Sequence, residues 1–148
     1  MAGFEIDFPD DFLSELLDTE FDEVAEMALK ETAPLLERSM KASCERAVKH
    51  EGDSELVNSI KAAEPKKTKT DAWIVNVGPR GYSSMKMYNG KKKGRKYKVS
   101  NALKAIWKEY GIAGQQAPAP FITNATNSVR EEVMNKMQEI YNRKVGAK

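Results

Sequence analysis

An α+β fold is what this sequence predicts: a long, kinked N-terminal helix and a C-terminal helix packed on a small antiparallel β-sheet. Three observations carry the expectation. Apolar residues recur at helical spacing over residues 20–50 and again over 122–144. Between them, residues 56–88 are rich in β-branched and aromatic side chains and are punctuated by Gly, Pro and Asn. A length of 148 residues suits one domain and is short for two.

The elements follow in chain order. Residues 1–19 read as a short strand and a short helix. Phe4, Ile6 and Phe8 alternate with Glu5 and Asp7, and Pro9 ends that strand. Asp10 or Asp11 can then cap a helix through Leu17, with Phe12, Leu13, Leu16 and Leu17 on one side. The long helix is clearest from Phe21 to Lys49, where Phe21, Val24, Ala25, Ala28, Leu29, Leu35, Leu36, Met40, Ala47 and Val48 form its apolar stripe. Acidic residues crowd its first turns and Lys41, Arg46 and Lys49 its last, as the helix dipole favours. Pro34 removes a backbone donor, which predicts a kink in a continuous helix near Thr32–Ala33.

After Glu51-Gly52-Asp53, the stretch from Leu56 to Ala63 reads as a helical turn passing into a strand. Residues 58–66 and 71–78 then form a hairpin, and Tyr82–Tyr88 a third strand, with a turn at Asn89-Gly90. Residues 89–98, a basic loop, carry Lys91, Lys92, Lys93, Arg95, Lys96 and Lys98 without an acid. Residues 99–121 combine an amphipathic helix and a loop. Ser100 is its cap, and Leu103, Ile106, Trp107 and Tyr110 share one helical face, although Leu103, Ala105 and Trp107 also alternate as a strand would. Gly111 stands where a left-handed residue ends a helix. Thr123 or Asn124 can cap the last helix, whose face is Val129, Val133, Met134, Met137, Ile140 and Tyr141, and residues 145–148 are expected to fray.

Chemistry is hard to find in this chain. Its one histidine, His50, leaves no nucleophile–base pair and no metal cluster to assemble, so the expectation is no cofactor, no metal and no catalytic residue. Gly78-Pro79-Arg80-Gly81 lacks the spacing of a phosphate-binding loop. The single cysteine, Cys44, allows no intrachain disulfide and reads as a small buried residue. The acidic N-terminus has no basic and apolar signal-peptide regions and no run reaches membrane-spanning length, which leads one to expect a cytoplasmically made protein with no membrane partner.

Net charge is only +2, but it is unevenly placed. Up to Glu31 the chain is acidic with Lys30 as its one base, while residues 89–98 are purely basic. Such polarity suits head-to-tail contact between copies, or two solvated faces that never meet. The lysine run reads either as a solvated loop or as a contact to a nucleic-acid backbone.

One arrangement of motifs resembles a known family. Ala33-Pro34-Leu35-Leu36 lies in the middle of the long helix, and Gly52, Leu56, Ser59 and Ile60 follow in order. A valine-rich strand then ends at Gly78. Glu109-Tyr110-Gly111 precedes a short loop, Pro118-Ala119-Pro120-Phe121, and Ala125 comes four positions on. Over about residues 20–143 this is similar to the neck or tail-completion (minor tail-component) proteins of long-tailed bacteriophages. The chain departs from that pattern at Ile112, where threonine is frequent, at Pro118 and Ala119, where Ala-Arg is usual, and at Asn124, which replaces a proline.

The resemblance implies a non-enzymatic virion protein at the head–tail junction. It would form a homo-oligomeric ring between connector or stopper proteins and the tail terminator or tail tube, with double-stranded DNA passing through the lumen. It also implies a structural role for Glu109, Tyr110, Gly111, Pro120 and Phe121. The variable loop, with Ile112, Gly114, Gln115 and Gln116, is then the expected subunit interface, and the Lys91–Lys98 run faces DNA or a partner. The competing reading is a small DNA-binding module built on that basic loop.

Overall fold

A computed structural model describes residues 21–47, 54–86, 91 and 94–145. The expected strand and helix in residues 1–19, His50, the Asn89-Gly90 turn, Lys92 and Lys93 lie outside the described residues. The chain is α+β, as its periodicities predict.

Helix α1 spans Phe21–Ala47 and runs through Pro34 as one element. Pro34 and Lys30 are both on the exposed side, so solvent can satisfy the Lys30 carbonyl that loses its donor. The predicted stripe is buried at Val24, Ala25, Ala28, Leu29, Leu36 and Met40, and Ala33 and Cys44 join it. Thr32 is buried too, and its hydroxyl donates to the carbonyl of Ala28 at 2.7 Å, so a polar residue enters this stripe satisfied.

Helix α2, Ser54–Ser59, buries Leu56 and Val57 and passes directly into β1, Ile60–Ala62. Next come β2 (Lys66–Lys67), β3 (Trp73–Ile74) and β4 (Val77–Pro79). β1 pairs antiparallel with β4, Ile60 opposite Pro79, and β2 pairs antiparallel with β3, Lys67 opposite Trp73. This is the expected hairpin, divided into two ladders. Its turn is closed by Asp71 at a φ of 60° and by the Thr68 amide on the Ala72 carbonyl at 2.8 Å.

The third strand differs from expectation in its partner. β5, Tyr82–Lys86, pairs antiparallel with β6, Lys96–Ser100, rather than extending the hairpin. The last three residues of the expected basic loop are therefore strand: Lys96 and Lys98 lie in β6, and Lys91 and Arg95 lie in the connection between strands. The sheet is thus three separate two-stranded ladders.

Helix α3, Asn101–Tyr110, settles residues 101–110 as helix, with Val99 and Ser100 closing β6. Helix α4, Phe121–Val145, lies antiparallel to α1. Lys144 reaches Glu23 at 3.2 Å near one end of the pair, and the Ser39 hydroxyl donates to the Ala125 carbonyl at 3.1 Å toward the other. Phe121, Ala125, Val129, Val133, Met137, Ile140 and Tyr141 form the buried face of α4, while Met134 is exposed. One core joins α1, α2, β1, β4 and α4. To it α3 contributes only Ala105.

Candidate functional site

The joint between α3 and α4 is built by Glu109, Gly111, Pro120 and Phe121. A helix start leaves backbone N–H groups without partners. Here the buried Glu109 carboxylate accepts from the amide of Ile122 at 2.9 Å, from that of Thr123 at 3.1 Å, and from the Thr123 hydroxyl. A residue on one helix thus caps another, and its negative charge sits at the positive end of the α4 dipole. Thr123 and Asn124 were the expected caps from sequence. Instead the helix begins at Phe121, and the Pro120 carbonyl accepts the first helical bond from Asn124 at 3.0 Å. Pro120 has no N–H to leave unsatisfied, which suits it to this position. Phe121 is fully buried and anchors the start of α4 in the core.

Gly111 has the positive φ expected, 76°, but with ψ at 179°, an extended conformation open essentially to glycine alone rather than the left-handed helical one. Space enforces the same choice: a Cβ there would lie 2.6 Å from the Gln116 carbonyl oxygen and 2.8 Å from the Pro118 nitrogen. The loop beyond is drawn tight. Ile112 and Gln116 form an antiparallel bridge, with the Ile112 amide on the Gln116 carbonyl at 2.8 Å, and Gly114 turns the chain at a φ of 71°. Tyr110, Ile112, Gln115, Gln116 and Pro118 line a shallow open depression on it. The Ala119 amide ties the loop back to the Lys108 carbonyl at 2.7 Å.

The larger surprise is the orientation of α3. The apolar face that its spacing defines turns outward. Leu103 is 40% exposed, Ile106 48% and Tyr110 76%, with Trp107 half-buried between them. The inward face is polar: Asn101, Lys104, Lys108 and Glu109 are buried. The reason lies in what that inward face meets. Asn101 accepts from the Ser83 hydroxyl at 2.6 Å and donates to the Arg80 carbonyl at 2.7 Å, and the Lys104 ammonium donates to the Ser84 carbonyl at 3.1 Å. Together with Glu109 at the start of α4, these side chains satisfy backbone groups that apolar residues would leave stranded. Ser100 caps α3 as predicted, accepting from the Leu103 amide at 3.1 Å.

Beside this helix stands the β5–β6 ribbon. From Tyr82 to Ser100 it carries Lys86, Lys91, Lys92, Lys93, Arg95, Lys96 and Lys98, and no acid. Lys86 lies directly opposite Lys96 across the ladder, a like-charge pair that destabilises the ribbon unless an anion covers it. Lys98 places its ammonium 5.2 Å from the centre of the Tyr82 ring, and Tyr82 is itself exposed and opposite the α3 cap, Ser100. The ribbon is fastened to the inward, polar side of α3 through the Ser83 and Ser84 bonds to Asn101 and Lys104.

Two further polar fastenings lie elsewhere. Asp22 accepts from the Trp73 indole at 2.8 Å and from Lys67 at 2.9 Å, locking the hairpin tip to the first turn of α1. The Trp73 bond, then the Lys67 bond, hold its carboxyl below the usual range. Glu37 accepts from the Ala62 amide at 2.8 Å and from Lys41 at 2.7 Å. Burial pushes the Glu37 carboxyl up, but those bonds and the nearby Lys41 and Lys61 charges outweigh it and leave it lowered.

Among the described residues, no group of three or more metal-binding side chains comes together, and no helix is long and apolar enough to cross a membrane. No protein-family model, curated protein or solved structure matches the chain.

Proposed function

We propose that this chain is a structural, non-enzymatic protein of the bacteriophage head–tail junction. It is a neck or tail-completion component that joins connector to tail as a ring around the DNA channel. One observation carries the reading furthest: α3 turns Leu103, Ile106, Trp107 and Tyr110 away from its own core. A continuous apolar helix face left to solvent marks a surface that another protein covers. The Glu109-Tyr110-Gly111 and Pro118–Phe121 motifs, on which the family resemblance rests, adjoin that surface. Gly111 and Glu109 make the rigid joint, and Tyr110 stands exposed at its edge. The protein is synthesised in the host cytoplasm and ends in the virion.

The test is its place in the particle. Electron microscopy with an antibody or tag on this chain should label the junction between head and tail, and the chain should co-purify with connector and tail-tube proteins. A particle that lacks the chain altogether would overturn the reading.

The β5–β6 ribbon supports a second reading, a small DNA-binding module. A two-stranded ribbon fits the major groove of duplex DNA, and this one carries only basic charges. That reading predicts steeply salt-dependent binding of the isolated protein to duplex DNA, lost when Lys91, Lys92, Lys93 and Arg95 are all replaced by alanine. No binding at low salt eliminates it.

A further inference from the structure

We propose that one face of the β5–β6 ribbon grips the phosphate backbone of duplex DNA without reading its sequence. The inference rests on the DNA-binding reading above for its partner, and it adds the face and the mode of contact. Strand alternation sorts the ribbon into two sides. Ser83, Met85 and Val99 share one side: Ser83 and Val99 are buried, Met85 is half-buried, and the Ser83 hydroxyl is bonded to Asn101 of α3. Tyr82, Ser84, Lys86, Lys96 and Lys98 share the other, and all are exposed. The register sets Ser84 opposite Lys98 and Lys86 opposite Lys96 on that side. Three lysines thus stand together on the free side of a ribbon that α3 holds from behind.

Charge, side-chain type and ring geometry select the occupant. Lys86 and Lys96 repel each other across the ladder. Among the described residues no carboxylate pairs with Lys86, Lys96 or Lys98. A polyanion relieves that repulsion. Lysine, serine and tyrosine all donate to phosphate oxygens. The planar forks of Arg, Asn and Gln, which read base edges bidentately, do not occur on this side of the two strands. Lys98 holds its ammonium 5.2 Å from the centre of the Tyr82 ring, so a cation covers the ring where a base would stack. That favours a duplex, whose bases are already stacked, over a single strand. Tyr82 apart, the side has no apolar anchor of the kind a protein interface rests on.

The test is fluorescence anisotropy of a labelled duplex titrated with the full-length chain over a range of salt. AT-rich and GC-rich duplexes should bind equally. Each phosphate contact adds about 0.9 to the slope of log affinity against log salt. Lys86→Ala with Lys96→Ala should therefore lower that slope by about 2, and Lys98→Ala by about 1 more. Lys86→Glu separates binding from folding. It removes the cross-strand repulsion, so amide exchange in the ribbon slows while affinity for the duplex falls.

An affinity and salt slope unchanged in the triple lysine variant overturn the inference. If replacing Lys91, Lys92, Lys93 and Arg95 still abolishes that binding, the DNA-binding reading stands without it. A strong preference for one duplex sequence also overturns it, as does tighter binding of a single-stranded oligonucleotide. Poly-glutamate that competes as well as duplex DNA at equal charge would show an acidic-protein site instead. No binding of the wild-type chain at low salt removes the DNA-binding reading and this inference with it.

Discussion

Replacing Glu109 by alanine tests how α4 is held. Three bonds converge on its carboxylate, from the Ile122 and Thr123 amides and from the Thr123 hydroxyl. Losing an ordinary helix cap costs about 1 kcal/mol. This one is charged and buried, so its loss also strands amide donors at about 1–3 kcal/mol each where water cannot replace the carboxylate. Ile122 and Thr123 are on the partly buried side of the site, where water partly compensates, so about 3 kcal/mol is the expected total. For a chain of this size that is a fall of about 6–12 °C in Tm.

Glu109→Gln keeps a neutral acceptor oxygen and should lose roughly half as much, about 1.5 kcal/mol. The assay is urea unfolding followed by far-UV circular dichroism, with equal slopes required so that the shift in midpoint reports stability. Because Phe121 seats α4 in the core directly after this cap, the loss is expected in the global transition rather than as fraying. A Glu109→Ala change under about 0.5 kcal/mol, typical of an unconstrained surface site, would refute the reasoning.

Other outcomes follow from the same geometry. Gly111→Ala should destabilise by about 2–4 kcal/mol, since both its φ and the 2.6 Å approach of the Gln116 carbonyl exclude a side chain; a thermal melt near wild type would count against the joint as drawn. Phe121→Ala should cost about 3–5 kcal/mol by leaving a cavity under α4, read by the same urea titration. Glu37 and Asp22 have lowered carboxyl pKa values in the folded chain, so their stabilisation is present above the unfolded-state values and disappears as pH falls through the folded ones. Stability should therefore be level near neutrality and decline below about pH 4, and Glu37→Gln should reduce that decline. Lys86→Glu turns a repelling cross-strand pair into an attractive one and should stabilise the ribbon by about 0.5 kcal/mol, seen as slower amide exchange in β5 and β6.

Much of the fold was legible from local pattern. The α4 stripe of Val129, Val133, Met137, Ile140 and Tyr141 repeats over several turns, and all five are buried. The buried Cys44 and the Ser100 cap were legible for the same reason: burial on a long stripe and capping both depend on near neighbours in sequence. β6 itself was hidden, read as the end of a loop and the start of a helix, because a lysine-rich run has weak strand preference and pairs only when β5 is set beside it. Glu109 was legible as part of a motif, but its role was not. Its partners are thirteen and fourteen positions away, and nothing in the local spacing says that α4 will begin at Phe121.

What the amino-acid order determined, then, is the two long helices, the hairpin and the two-faced character of α3. Which face of α3 turns inward was decided only in three dimensions. Leu103, Ile106, Trp107 and Tyr110 recur at helical spacing whether the stripe is buried or not. The deciding fact is that the surface α3 lands on is made of backbone polar groups: the Arg80 and Ser84 carbonyls and the first amides of α4. Asn101, Lys104 and Glu109 can satisfy those groups and apolar side chains cannot, so the polar face went in and the apolar face was left outward.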